Sequence, residues 1–583
     1  MADRVVKLLN NPYGIAQYEA FKKQNRAFVD KSEIILELDD DSISPYPILL
    51  RPRRFGKSTF VQMLKCFYDI SYKDRYEELF KGTGIYKENL ASHNTYHVLN
   101  FDFSIVSTQS ANVMYSSFFS AVASGIDDFV VRYPDLVFNY EDLDKTDSVT
   151  LINNFFSACS KQFKECKLYV MIDEYDNFAN SLLSNNLELF KTITSSGGFL
   201  KVFYSVIKEK AKTSIAKTFI TGVSSVSLDS LTSGFNISRN ITSHKSFNVY
   251  AGFTEEELKK LIPELVDINT LGVTVEEMIS RMKPVYDGYC FSAESSQTVY
   301  NSSMCLYYLD NIREKGVILP PELYLDPASD HDGSKLQQVF EIAEDGLADE
   351  VMDTYLKGDY FYIAKLAEHI NLNKHKKYDE VQLISMLYYL GYLTIDPKKS
   401  DAENLALKIP NLFMSNLFAQ CTLDMRLKPS SIYKEQPLDI SDLEECHDDI
   451  SGFVSSCSEF LSSIFTNQVL THMSEMALNL ALYGKLNSLI RDVKLQMPLR
   501  VPGKGEKFAD LVITVNEETE EECIYLLELK YIAKKQATEA KIEALKEEAA
   551  EQVNSYKSSL EFKDKNVKGY ALIFSGSECV YWG

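Results

Sequence analysis

The sequence predicts a multidomain α/β protein: a parallel sheet flanked by helices in the first third, a mostly helical middle, and a second, smaller α/β domain at the carboxyl end. Three observations predict it. The apolar run Tyr46-Pro-Ile-Leu-Leu50 leads into a basic loop ending Gly56-Lys57-Ser58, and then into a helix. A second apolar run, from Leu168, ends on the acid pair Asp173-Glu174. Near the carboxyl end, two apolar runs flank a charged turn and bring Asp510, Glu528 and Lys530 together. At 583 residues the chain is too long for one core, and its length predicts three to four domains.

In the first third, the loop Arg51-Pro-Arg-Arg-Phe-Gly-Lys-Ser58 has the tail of a phosphate-binding loop, with Arg51 where the usual pattern has its first glycine. Phe60, Met63, Leu64 and Phe67 then fall on one helix face. Strand, loop and helix form the context such a loop needs. Backbone N–H groups at the helix start hold an anion, Lys57 reaches the outer phosphates of ATP, and Ser58 can ligate Mg²⁺. The run ending at Asp173-Glu174 has the Walker B form, in which Asp173 holds the metal through water and Glu174 polarises the attacking water as the catalytic base.

His97–Phe103 is a further strand between these two, and Thr218-Phe-Ile-Thr-Gly222 a later one, where Thr221 is placed to sense the outer phosphate. This is the chain order of ATPases that use a glutamate base. The expected nucleotide-binding set is Arg53, Arg54, Phe55, Gly56, Lys57, Ser58, Thr59, Asp173 and Thr221, with Ser58 and Asp173 as metal ligands.

Composition sets limits. The chain is 45% apolar and 25% charged, as in globular proteins, and its net charge of −22 argues against coating nucleic acid through an overall field, though not against a local groove. Ten cysteines without regular spacing read as reduced thiols. The amino terminus has no apolar signal core, and no apolar run reaches the roughly 18 residues of a membrane helix. The expectation is an intracellular protein, cytoplasmic or, in a eukaryote, nuclear, with no membrane partner.

The middle reads as helical from about 255 to 375. Asp379–Leu390 has a helical apolar face closed by Gly391, and the runs 392–396 and 405–409 then read as a hairpin. Helix plus hairpin predicts a winged-helix unit. Its basic residues are few beyond Lys374, Lys376 and Lys377, which favours a packing or lid role over DNA binding. The stretch 427–441 reads as a linker.

At 505–531, Ala509–Val515 and Cys523–Tyr531 flank a turn centred on Thr519. A hairpin folded there pairs position n with 1038 − n, so Asp510 faces Glu528, and Lys530 shares the face of Glu528. Three polar groups on one side of an apolar hairpin cost stability unless they are used or paired. Asp510, Glu528 and the Leu529 carbonyl can ligate Mg²⁺, and Lys530 can orient or deprotonate a water. A helix over 471–486 adds Glu475. A long helix from about 533 to 558 adds Gln552, a further candidate catalytic residue, with Tyr556 one turn on. The strand Tyr570–Phe574 follows. Lys494, Arg500, Lys504, Lys507, Lys534 and Lys535 are the basic residues available for a nucleic-acid groove.

The segments FVDKSEII, LLRPRRFGKSTF, VMIDEYDNF, FITGVSSVSLDSLTSGFNIS, AGFTEEEL and VYDGYCFS resemble the AAA-ATPase-like family over most of residues 10–310. Members often carry a nuclease-like domain at the carboxyl end, and D-(x17)-E-x-K resembles the PD-(D/E)XK nuclease superfamily. The resemblance implies a loop of the form R-P-R-R-F-G-K-S. It also implies roles for Arg51, Arg53 and Arg54 near the phosphates or between subunits, for Arg239 as an arginine acting in trans, and for Asp30, Lys31, Asp176 and Asn177. Where the family often has Gly-Arg-x-Asp, this chain has Lys507-Phe-Ala-Asp510.

The expected fold is thus a P-loop NTPase parallel sheet (1–255), a helical lid and winged-helix-like region (256–426), a linker with helices (427–470) and a restriction-endonuclease-like α/β domain (471–583). The expected function is an ATP-binding, ATP-hydrolysing protein coupled to an Mg²⁺-dependent nuclease acting on DNA or RNA, with homo-oligomers formed through the AAA-like domains. The alternatives are a regulatory or remodelling ATPase whose nuclease-like domain is a binding scaffold, and an interaction protein that senses nucleotide without turnover.

Overall fold

The computed structural model describes all residues except 1–7, 164–166, 196, 227–233, 319–320, 322–331, 369, 371–376, 423, 426–436, 466–469, 471–474, 503–504, 518 and 520. Lys374, Lys376, Lys504 and most of the expected linker therefore lie outside the described residues. The chain forms two compact units. One comprises Met1–Asp330, Gln338–Leu347 and Phe361–Met414, and the other His331–Gln337, Ala348–Tyr360 and Ser415–Gly583.

The first unit is built on a five-stranded parallel sheet. Its strands are β1 (Pro47–Leu50), β2 (His97–Asp102), β3 (Leu168–Asp173), β4 (Ile215–Gly222) and β5 (Arg239–Asn240), in the order β2-β3-β4-β1-β5. β1 and β3 are buried at every position, which is why they read as unbroken apolar runs and not as alternating ones. The register sets Asp102 beside Asp173, and Leu50 beside Gly222. The carboxyl ends of four strands therefore meet at one edge, where open α/β sheets place their ligands. β1 feeds helix α1 (Lys57–Tyr68), whose N-cap is Gly56 at φ +88°.

Helices α2 (Glu255–Leu265) and α3 (Ser302–Lys315) follow. α2 starts on a capping box between Thr254 and Glu257, the structural content of Phe-Thr-Glu-Glu-Glu in the sequence. Strand β6 (Phe361–Ile363), helix α4 (Glu380–Leu390) and strands β7 (Thr394–Ile395) and β8 (Leu405–Lys408) form a helix over a three-stranded antiparallel sheet, β6-β8-β7. The Asp379 cap and the Gly391 stop fall where the sequence places them, while β6 was not foreseen. A Cβ on Gly391 would lie 2.9 Å from the Cβ of Pro52, so the end of α4 packs directly on the phosphate loop. Lys377 is ion-paired with Asp345.

The second unit holds helices α5 (Ser451–Ile464) and α6 (Glu475–Leu486), strands β9 (Asp492–Val501), β10 (Gly505–Val515) and β11 (Cys523–Ile532), helix α7 (Glu539–Lys557), and strands β12 (Val567–Ser575) and β13 (Glu578–Trp582). The sheet order is β13-β12-β11-β10-β9, with β11 and β12 parallel and the other pairs antiparallel. The hairpin register is the expected one, from Leu511↔Leu527 to Val515↔Cys523. Odd-numbered positions such as Leu511, Ile513, Tyr525 and Leu527 pack towards α5 and α6. Val512, Ile524 and Leu526 pack towards Ala549, Val553 and Tyr556 of α7. No described helix in either unit is long and apolar enough to cross a membrane.

Candidate functional sites

The phosphate loop borders a cavity of about 560 Å³, a size that suits a nucleotide. One wall is the loop from Arg53 to Thr59, with Glu174, Asn177 and Asp102 beside it. The other is apolar and includes Ile15, Phe28 and Leu306. Sequence reading missed this second wall. Asp30 and Lys31, singled out by resemblance without a mechanism, hold the segment that supplies it. Asp30 accepts the Ser32 and Gly84 N–H groups, and the half-buried Lys31 ammonium donates to Glu257 at 2.7 Å and to the Val249 carbonyl at 2.8 Å.

Arg51 does not face the phosphates. It is 1% exposed and turns away from the loop into the core, where it donates to the carbonyls of Leu50 (2.7 Å), Thr242 (2.9 Å) and Phe247 (2.5 Å). Its guanidinium sits 4.1 Å from the Phe291 ring centroid and 4.9 Å from that of Tyr250. The first motif position is therefore a strut that ties β1 to the segment after β5. Positive φ falls instead at Arg54 (φ +70°) and Gly56. The Arg54 carbonyl is fixed by the Ser302 hydroxyl (2.9 Å) and the Ser303 N–H (3.1 Å). Arg53 is exposed and donates to Asn177 at 2.8 Å, and Phe55 packs on Tyr289. Arg239 is exposed on β5.

Lys57 is buried, with its ammonium 3.2 Å from the Pro52 carbonyl and 3.5 Å from a Glu174 oxygen. Glu174 itself takes φ +52°, uncommon for a non-glycine residue and typical of functional sites. Burial pushes Asp173 up to about 6; the Glu174 charge adds to this, while a hydrogen bond from Ser58 and the Lys57 charge oppose it. A buried acid with two acidic neighbours and a serine hydroxyl suits a divalent cation between Ser58 and Asp173.

Thr221 is buried, and its hydroxyl donates to the Leu49 carbonyl at 2.6 Å and not into the cavity. Asp176 joins the Walker B segment to the end of β4: it accepts the N–H groups of Val223 (3.0 Å) and Ser224 (2.7 Å), the Ser224 hydroxyl (2.8 Å) and the Asn180 amide (2.6 Å). A Cβ at Gly222 would come within 2.2 Å of the Asp176 carboxylate and 2.6 Å of the Tyr175 ring. Gly222→Ala is expected to break this clamp and cost about 1–3 kcal/mol, read as a lower melting temperature of the first unit.

In the second unit, Asp510, Glu528 and Lys530 are 6%, 2% and 7% exposed and converge as the hairpin register requires. One residue beyond the last backbone pair, Asp510 accepts the Leu529 N–H at 2.9 Å through one oxygen and the Asn479 amide at 2.9 Å through the other. The Lys530 ammonium is 2.9 Å from Glu528 Oε1 and 3.5 Å from Glu475 Oε1. Glu528 Oε2 and Gln552 Oε1 are buried without a donor among the described residues. Burial, then the Asp510 charge, pushes Glu528 up to about 8, with Lys530 pulling it back. For Lys530, burial disfavours the ammonium, but Glu528, Glu475 and Asp510 together raise it above its ordinary range.

An orphaned carboxylate oxygen beside a second carboxylate fits a divalent cation held by Asp510 and Glu528. Among the described residues no group of three or more His, Cys, Asp or Glu side chains is placed to share one metal, so the other ligands would be backbone, substrate and water. Among the expected basic residues, Lys494 is paired with Asp492 at 3.3 Å and Lys507 is exposed.

Residues 12–232 match the family model described as a predicted AAA-ATPase, and residues 503–582 match that of the PD-(D/E)XK nuclease superfamily. A search of curated proteins finds no match. Among solved structures, that of Drosophila ORC bound to DNA is similar over 68% of this chain and 88% of its own, at 10% identity and a TM-score of 0.27. The chain therefore carries an AAA-ATPase-like domain and, at its carboxyl end, a PD-(D/E)XK nuclease-superfamily domain.

Proposed function

We propose that this protein binds and hydrolyses ATP in its first unit and, under the control of that nucleotide, cleaves phosphodiester bonds of nucleic acid in its second. The observation that carries the reading is the buried Asp510–Glu528–Lys530 constellation with its donorless Glu528 oxygen, in a chain that also holds a cavity at a phosphate loop.

At the nucleotide site, the N-terminus of α1 and Lys57 take the phosphates. Glu174 lies 3.5 Å from Lys57. A bound outer phosphate competes for Lys57 and releases Glu174 to accept a proton from the attacking water. At the nuclease site, Asp510 and Glu528 would hold Mg²⁺, which stabilises charge on the attacked phosphate. Lys530, kept charged by its acidic neighbours, orients the water and faces the phosphate and does not act as a base. Homo-oligomerisation through the AAA-like domains belongs to this reading as a proposal.

Two measurements test it. Phosphate release from ATP is expected to persist in wild type and to disappear in Lys57→Ala and Glu174→Gln, the latter still binding ATP. Calorimetry of the nucleotide-free chain is expected to show Mn²⁺ binding that Asp510→Asn removes. Wild type that neither binds metal at this site nor turns over ATP would leave a nucleotide-sensing scaffold as the better reading.

A further inference from the structure

We propose that Asn479 is a positioning residue that fixes the carboxylate of Asp510 for its cation. The inference rests on reading that site as cation-dependent.

Asn479 sits inside the apolar helical run Met476-Ala-Leu-Asn-Leu-Ala-Leu482, and it is 1% exposed. Ala477, Leu478, Leu480, Ala481 and Leu482 around it are all buried. Burying an amide there is costly unless it is paired, so leucine would be the stable choice on packing alone. The amide is used. Its Nδ2 donates to Asp510 Oδ1 at 2.9 Å, while the Leu529 N–H takes Asp510 Oδ2 at 2.9 Å. Two donors on two different elements thus pin both oxygens, and the carboxylate cannot rotate about its last bond.

The orientation of the amide is dictated by its partner. A carboxylate accepts and does not donate, so the NH₂ must face Asp510 and the carbonyl must face the other way. That carbonyl, Asn479 Oδ1, is buried with no donor among the described residues. Glu528 Oε2 and Gln552 Oε1 are in the same condition. Glu475, one turn before Asn479 on α6, reaches Lys530. One helix therefore sets both Lys530 and Asp510.

The test uses the full chain without nucleotide, with Mn²⁺ as the probe, and follows the binding event that Asp510→Asn removes. Asn479→Leu keeps the volume and deletes the donor, and Asn479→Ala serves if the leucine variant does not fold. Circular dichroism and melting report the fold. The expected result is a 10–100-fold rise in the Mn²⁺ dissociation constant with an unchanged or higher melting temperature, as for other outer partners of metal ligands. If cleavage is measurable, the Mn²⁺ concentration for half-maximal rate rises by the same factor while the rate at saturating metal recovers. Wild-type Mn²⁺ affinity in both folded variants overturns the role of Asn479. Absence of the Asp510-dependent event in wild type overturns the underlying reading of the site, and the proposal with it.

Discussion

Arg51→Gly, which restores the common first glycine of a phosphate loop, is expected to destabilise the first unit by about 4 kcal/mol or more. The substitution removes the donors of three backbone carbonyls, those of Leu50, Thr242 and Phe247, and the ring contacts to Tyr250 and Phe291. It leaves a void the size of an arginine side chain and adds the backbone freedom of glycine to the unfolded state. Nucleotide binding should weaken, because β1 and the loop lose the strut that aligns them with the segment after β5. Arg51→Lys should rescue little, since one ammonium cannot reproduce the planar fork. Urea unfolding of the unit and ATP binding by calorimetry read both effects. A glycine variant as stable as wild type would contradict the structural role of Arg51.

The second large effect is a pH dependence. Glu528 is an acid raised in the folded chain to about 8 from an ordinary value of 4.5. Between these values the folded state holds a proton that the unfolded state has lost. Stability is therefore lost progressively as pH rises from about 4.5 to about 8 and levels off above that. At roughly 1.4 kcal/mol per unit, the contribution is on the order of a few kcal/mol. Glu528→Gln cannot ionise, so its stability should fall less over this window. Lys530 loses a partner in the variant, but that penalty is constant below its own titration and does not alter the slope. Melting of wild type and Glu528→Gln in a chelator from pH 5 to pH 9 reads the difference. It should favour the variant increasingly towards pH 9, and equal slopes would contradict the assignment of Glu528 as the strained acid.

Much of both sites was legible because their chemistry is local or periodic. The phosphate loop, the Walker B acids and the α4 stop at Gly391 follow from spacing within short segments. The hairpin register followed from a turn centre and a period of two, and it placed Asp510, Glu528 and Lys530 correctly from 18 and 20 residues apart.

What stayed hidden depends on long-range packing. The inward turn of Arg51 is decided by carbonyls and rings between Thr242 and Phe291, about 190 to 240 residues away. The same holds for Thr221, whose polar position at a strand end suggested a phosphate sensor but whose hydroxyl is taken by β1. The apolar wall near residue 15 carries no motif. Strands β9 and β13 lie at the two sheet edges. Asn479 had a signal in the sequence, an amide within an apolar helical run, but its partner is supplied by strand β10, 31 residues on.

The most direct test of the central claim is cleavage of a panel of labelled DNA and RNA, single- and double-stranded, with Mg²⁺ or Mn²⁺, with and without ATP. Wild type is expected to cut at least one substrate, Lys530→Ala to abolish cutting, and Lys57→Ala to remove its dependence on ATP. ATP turnover with no cutting of any substrate, or cutting that survives Lys530→Ala, would contradict the account and favour an ATPase whose carboxyl-terminal domain is a binding scaffold.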